Sequence, residues 1–352
     1  MGSETNESGG GVILIASALQ PTFGLELAVM EVAQALAESR EVTVICVADG
    51  NPSPFPAESG IAYRSLGSSV VKWRRVAMIP RILRLARTLP DQPIVLCGAW
   101  AAIPALLALG RRHSSRAVVW EHSFGSTRRL RRLTRLLYPR GACVVAVSDR
   151  LASDLKGAGF DVEMSVIPNI VRPVGLVADV EVRPNALVTV GSLKPIKNHA
   201  LALHTLAELG ADYTLDVVGD GPLRESLEGL ARELGVADRV VFHGYVADPS
   251  PLVASSAVML HTSIGETFGL VLHEAAQVGC PVVAIDDSVM QEVVPAQVPG
   301  VLSAPDPGAL AEAVRRAQAL ERPAPITPEE QESRRREVID RWSALLDDVG
   351  RM

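Results

Sequence analysis

Short runs of uninterrupted apolar residues alternate along the chain with longer stretches of helical periodicity. In the first half the apolar runs are 12–19, 42–47, 94–97, 117–120 and 142–147. Each is short and rich in Val, Ile, Leu or Ala, with little polar alternation, which is the pattern of a strand covered on both faces. Between them, 25–37, 79–88 and 151–158 repeat apolar residues every three to four positions, as amphipathic helices do. The segment 166–169 adds a last strand, and the Val/Pro-rich stretch 172–184 has the composition of a linker.

The second half repeats the plan. Strands are expected at 186–190, 214–218, 240–242, 257–260, 281–285 and 300–303, and helices at 199–209, 222–234, 269–278 and 307–320. Thr327-Pro328-Glu329-Glu330 reads as a helix start: a capping hydroxyl, Pro at the first helical position, then acids in the first turn. That helix should run to about Asp347. Strands that alternate with helices predict an α/β chain of two doubly wound parallel sheets. The expected domains are 1–171 and 185–325, joined by the linker 172–184 and closed by a helix in 326–352. A length of 352 residues suits two domains, each with its own core.

Composition narrows the class. With 48% apolar residues the chain is a packed globular one rather than a disordered one. No apolar run reaches the roughly 18–20 residues needed to span a bilayer, and residues 1–11 are acidic and glycine-rich rather than leader-like. Cys46, Cys97, Cys143 and Cys280 fall in or beside apolar runs, as buried free thiols of a reducing compartment do. A cytoplasmic protein is expected. No Cys/His spacing suggests a metal site.

The net charge of −6 is unevenly spread: residues 1–171 carry 19 Lys/Arg against 14 Asp/Glu, and the remainder 15 against 26. An acidic chain with no recognisable motif argues against nucleic acid, while the positive first half hints at an acidic partner or surface.

The candidate chemistry lies mostly in the second half. Glu266 and Glu274 bracket Thr-Phe-Gly-Leu-Val-Leu-His, where a strand-end loop turns into a helix. Gly269 lets backbone approach a ligand, and a helix opening beside it presents unpaired N–H groups to phosphate. One carboxylate at the helix mouth and another two turns in suit a ligand with both a diphosphate and polyol rings; two solvated surface glutamates are the plainer reading. Further upstream, Gly191-Ser192-Leu193-Lys194-Pro195-Ile196-Lys197-Asn198-His199 is a glycine turn with two lysines before a helix. It could cradle phosphate, Lys197 being the better-placed cation, or be an ordinary strand–helix loop. Val218-Gly219-Asp220-Gly221-Pro222 is a similar junction.

Taken together these segments resemble the retaining glycosyltransferases of family GT4, with the two-Rossmann-domain GT-B fold. The resemblance runs from Val190 to about Val294 through five blocks in order: G-x-L-x-x-x-K-N, V-G-D-G-P, F-x-G at Phe242–Gly244, E-x-F-G-L-x-x-x-E-A, and G-x-P-V-V-A from Gly279. It implies that Glu266 contacts the transferred sugar and Glu274 the ribose, and that Lys197 with the amides of Gly269 and Leu270 holds the diphosphate. Gly191, Ser192, Gly219 and Phe268 complete the donor side, no cofactor is required, and a nucleoside-diphosphate sugar (a UDP-sugar by default) is the substrate. Ser192 replaces the family's usual arginine. Ser288 and Val289 stand where two glycines are common. The first half matches more loosely. Pro21-Thr22-Phe23-Gly24-Leu25-Glu26 aligns with the family's G-G-x-E loop but keeps only Gly24, His122 corresponds to the histidine that looks toward the donor sugar, and Ile170 replaces the glycine of I-P-N-G.

No Asp-x-Asp occurs in the chain, so departure of the leaving group without a metal is expected. Same-face attack by an acceptor hydroxyl follows, with the acceptor an open question among saccharide, lipid-linked sugar and natural-product aglycone. A GT-B nucleotide-sugar epimerase and a non-enzymatic two-domain sugar-binding protein are the competing readings. Segment 128–138 sets Leu130, Leu133 and Leu137 on one helical face and arginines elsewhere. It is a basic amphipathic helix that packs its stripe into the core, touches an anionic membrane peripherally, or lines an anionic acceptor site.

Overall fold

The uninterrupted apolar runs become strands buried on both faces: Val12 to Ala16 of β1 (Gly9–Ala16) and Ala117 to Trp120 of β5 are almost wholly inaccessible. A computed structural model describes residues 9–19, 24–47, 52–67, 79–109, 111–123, 128–141, 143–174, 180–287, 289–294 and 296–352. The chain divides into two units, Met1–Ile170 with Arg335–Met352, and Val171–Arg334.

In the first unit β1, β2 (Arg40–Cys46), β3 (Ala62–Ser65), β4 (Ile94–Cys97), β5 (Ala117–Glu121), β6 (Cys143–Ala146) and β7 (Met164–Val166) form one sheet in the order β3-β2-β1-β4-β5-β6-β7. All of these pairings are parallel. The helices are α1 (Gly24–Ala37), α2 (Ile79–Ala86), α3 (Ala99–Ala108), α4 (Arg111–Ser114), α5 (Arg128–Leu137) and α6 (Asp149–Gly157). The second unit holds β8 (Arg183–Val190), β9 (Thr214–Val218), β10 (Val240–Gly244), β11 (Ser256–His261), β12 (Val282–Ile285) and β13 (Gly300–Ser303), ordered β10-β9-β8-β11-β12-β13. Its helices are α7 (His199–Glu208), α8 (Arg224–Glu233), α9 (Ser250–Ser255), α10 (Leu270–Gln277), α11 (Met290–Val293) and α12 (Pro307–Gln318). On one sheet face α7 and α12 share a core with Leu203, Leu206, Leu310 and Val314; on the other, Leu272 and Met290 pack over Met259 and Val282.

The closing helix α13 (Pro328–Arg351) starts at the expected cap, where Thr327 Oγ1 accepts the Glu330 N–H at 3.2 Å. It reaches Arg351 rather than Asp347. Its last turns belong to the first unit: Trp342 is fully buried edge-on against Trp120, 4.9 Å between ring centres, and Arg40 pairs with Asp347 at 3.2 Å.

Several boundaries differ from the sequence expectation, for physical reasons. The edge strand β3 is mostly exposed, so it lacks the apolar run that marks its neighbours. The last strand of the first unit is Met164–Val166, and only the Ile167 N–H, bonded to Ala146 O at 3.0 Å, continues the pairing before Pro168, which has no N–H to donate. The stretch read as linker loses its final residues to β8, where Arg183 is held by buried Asp216 at 2.6 Å. The helices α3, α4, α9 and α11 were not among those expected: α3 is wholly apolar and shows no polar face, and the four to six residues of the other three are too few to show a period. In α5 the expected apolar stripe is corrected: Leu137 and Thr134 are buried, whereas Leu133 is 37% and Leu136 70% exposed.

Candidate functional site

In a doubly wound sheet, ligands sit beyond the carboxyl ends of the strands where the strand order reverses. In the second unit that point lies between β8 and β11, so the loops leaving Val190 and His261 flank it. The first loop closes into a short turn, Pro195–Lys197, followed by Asn198 in the left-handed region (φ 49°). The second runs from Thr262 to Gly269. The two are tied by Thr262 Oγ1 donating to Lys197 O at 3.1 Å and Ile264 N donating to Ile196 O at 2.8 Å.

These ties bring Lys197 onto Glu266. The Lys197 ammonium donates to Glu266 Oε1 with both side chains largely covered, and His261 Nε2 lies 3.5 Å from the same oxygen. Burial by itself would raise the Glu266 carboxyl. Lys197 and His261, with hydrogen bonds from Lys197 and Ser263, outweigh it and hold the group below its usual range. Burial pushes His199 and His261 down to about 4, so both imidazoles are neutral at pH 7. The charge in this group therefore rests on Lys197 and Glu266.

Gly269 follows at φ 78°, ψ 52°, a left-handed position that favours glycine, and it opens α10 without a side-chain cap. Leu270 is the first helical residue, where amides have no intrahelical partner. Buried Phe268 stacks on His273, 4.6 Å between ring centres at 21°, which fixes the turn. Glu274 is half-buried one turn farther along α10. On the other side of the switch point, Gly191 N donates to Val218 O at 2.9 Å and Gly219 N to Gly244 O at 2.8 Å. A Cβ on Gly219 (φ 139°) would meet Gly191 O at 2.0 Å, so this close backbone approach requires glycine. Ser192 is half-buried in the same loop. Asp287 Oδ1 accepts the Val289 and Met290 amides at 3.0 Å each; Ser288 lies outside the described residues.

Gly24 and His122 lie in the first unit. Gly24 is the exposed first residue of α1, and Pro21 to Phe23 of its loop lie outside the described residues. His122 directly follows β5, its ring 4.4 Å from that of Trp120, and burial pushes it down to about 3. Its backbone is held by the residue before it. Buried Glu121 accepts the His122 and Ser123 N–H groups on Oε1 at 3.2 Å each and the Tyr138 hydroxyl on Oε2. Burial raises the Glu121 carboxyl to about 7 against the lowering effect of these bonds.

Sequence reading passed over His199 and His261 as site residues, and Glu121 as the group that sets His122. The position of His261, last in a buried strand at the switch point, was the available signal. Among the described residues no group of three or more His, Cys, Asp or Glu could hold a metal ion, and no helix is long and apolar enough to cross a membrane.

Comparison with known proteins bears on the family and the fold. Residues 184–319 match the family model of glycosyl transferases group 1, and residues 24–173 that of glycosyltransferase family 4. The chain is 38% identical to a 2-deoxystreptamine glucosyltransferase of Streptomyces kanamyceticus over 135 residues, 37% of this chain and 34% of that protein. It is 27% identical over 161 residues, 44% of each chain, to the N-acetylgalactosamine-N,N'-diacetylbacillosaminyl-diphospho-undecaprenol 4-alpha-N-acetylgalactosaminyltransferase of Campylobacter jejuni. The chain thus spans less than half the length of these curated relatives. Its fold is similar to that of Anabaena HepE, solved with UDP and glucose, at a TM-score of 0.74 and 20% identity over 96% of both chains. With a family match in each half and this architecture, the chain belongs with the GT4-like glycosyltransferases of GT-B fold.

Proposed function

We propose that the protein is a retaining, metal-independent glycosyltransferase that moves a sugar from a nucleoside-diphosphate sugar to an acceptor hydroxyl. The observation that carries this reading is the Lys197–Glu266 pair at the switch point, beside the uncapped start of α10. A departing diphosphate needs positive charge and oriented N–H dipoles in a water-poor setting, commonly the largest single catalytic contribution. Lys197 and the amides of Gly269 and Leu270 supply both. Glu266, ionised, orients hydroxyls of the transferred sugar and stabilises the positive charge that develops at its anomeric carbon. Glu274 accepts hydrogen bonds from the ribose, while the Gly191–Ser192 and Gly219 backbone forms the floor of the donor site. Neutral His122 and Gly24 are carried over as donor-side residues from the family resemblance alone.

No second carboxylate is needed as a nucleophile in this scheme: the acceptor hydroxyl attacks from the face the diphosphate leaves, and the diphosphate oxygen takes its proton. A uridine diphosphate donor is favoured by the fold neighbour solved with UDP and glucose. The acceptor is a saccharide, a lipid-linked sugar or a natural-product aglycone. The test is a thermal-shift panel of nucleoside diphosphates, then turnover of the stabilising sugar nucleotide with and without EDTA. Stabilisation by one diphosphate and turnover that survives EDTA are expected. Indifference to every sugar nucleotide overturns the assignment, and turnover of donor without any acceptor would favour an epimerase.

A further inference from the structure

α3 contains no polar side chain at all: its ten residues are Ala-Trp-Ala-Ala-Ile-Pro-Ala-Leu-Leu-Ala. One side packs inward through residues such as Ala102, Ala105 and Leu106, all but inaccessible. The opposite side repeats at positions 100, 103 and 107, the helical spacing of a second apolar stripe, and there Trp100 is 48% and Leu107 45% exposed. A surface helix ordinarily turns polar residues outward; this one presents an aromatic and a leucine.

Its neighbours continue the pattern. α3 packs against α2 and against α5, whose outward residues include Leu83 at 42% and Leu136 at 70% exposure. Arginines stand between these apolar residues, among them exposed Arg84, Arg132 and Arg135. From residue 79 to 148 the chain has twelve arginines, no lysine and two acids, within a protein whose net charge is −6. Neither acid is free to offset them: Asp91 is paired with Arg116 at 2.5 Å, and Glu121 is buried and holds Tyr138.

We infer that the outer face of α2, α3 and α5 is a docking surface for an anionic lipid bilayer. Exposed apolar side chains on helices that also carry exposed arginines match an interface in which hydrocarbon lies just below a layer of negative charge. A second copy of this chain would set the same excess of arginine against itself, and like charges facing each other oppose association. Nucleic acid would use the arginines and leave Trp100, Leu107 and Leu136 in water. This inference is independent of the donor site, which lies in the other unit.

Flotation of the purified full chain with vesicles tests it, using phosphatidylglycerol in one arm and phosphatidylcholine in the other, at low and high salt. Co-flotation with phosphatidylglycerol alone is expected, weakening as salt rises. The double variant Leu107→Glu/Leu136→Glu should lose at least about tenfold in vesicle affinity, whereas Leu320→Glu, an exposed leucine of the other unit, should keep it. Arg132→Gln/Arg135→Gln alters only exposed positions, serves if the leucine variant fails to fold, and should also weaken binding about tenfold. Absence of flotation by the wild type overturns the inference. So does undiminished flotation of the variants, or a dimer dispersed by Leu136→Glu in a protein that ignores vesicles.

Discussion

Lys197 donates a hydrogen bond to Glu266, and this pair joins the two loops flanking the switch point through charged side chains. Neither residue is there to stabilise a core: each sits on a loop, and each is largely but not wholly covered. In the donor complex proposed above, the phosphate would compete with Glu266 for Lys197. Lys197→Ala should leave the fold intact and lower donor turnover by about 100-fold or more, the range for loss of one preorganised donor to a developing anion. Steady-state kinetics beside a circular dichroism spectrum decides it; near-normal turnover removes Lys197 from the mechanism.

Glu274 is proposed to hold a different part of the donor. If it holds the ribose, Glu274→Ala should weaken nucleoside diphosphate binding about tenfold, the cost of one or two hydrogen bonds to a charged group. Titration calorimetry with the free nucleoside diphosphate isolates this from any effect on the sugar. Unchanged affinity would falsify the ribose role.

Gly219 tests the backbone rather than a side chain. A methyl group there would meet Gly191 O at 2.0 Å, backbone against backbone, with no flexible atom to give way. Gly219→Ala should displace the Gly191 loop, lower the melting temperature by several degrees and weaken nucleotide binding together with it. A variant that melts like wild type means the approach is not needed.

Buried imidazoles set the response to acid. His122 is pushed down to about 3, and His199, His261 and His273 to about 4, all by burial first. Their ordinary value is about 6.5, so the unfolded chain binds their protons first. Their contribution to stability is fully present above pH 6.5 and is lost as pH falls toward 4. Glu121 runs the other way: raised to about 7, it favours the folded state below its ordinary value near 4.5 and loses that contribution as pH rises through 7. Four histidines outweigh one glutamate, so the melting temperature should be lower at pH 5 than at pH 7. Glu121→Gln should steepen that fall, because it removes the opposing group. A melting temperature flat between pH 5 and pH 7 contradicts this balance.

Legibility differed between the two halves of the chain. Among the described residues, the runs read from the sequence located eleven of the thirteen strands, because a largely covered strand has little polar interruption; 166–169 met β7 only at Val166, and β3, exposed at the sheet edge, left no such trace. The loops carrying Lys197, Gly219, Gly269 and Glu274 were legible as motifs, because turns and helix starts depend on local residue types. His261 and Glu121 were not. Each matters only through what lies across from it, Glu266 in one case and the backbone of His122 and Ser123 in the other. The outward stripe of α3 escaped notice for a related reason: a helix with no polar residue shows no contrast between its faces.

By itself the order of residues determined two βα arrays, the glycine turns and helix starts of the second, and the concentration of arginine between 79 and 148. Periodicity, turn chemistry and charge are local quantities, summed along the chain. Tertiary structure decided that Lys197 meets Glu266, that burial leaves the imidazoles near them uncharged, and that Leu136 rather than Leu137 faces outward. Those outcomes depend on which strands become neighbours and on how far water is excluded, and neither is a property of any one segment.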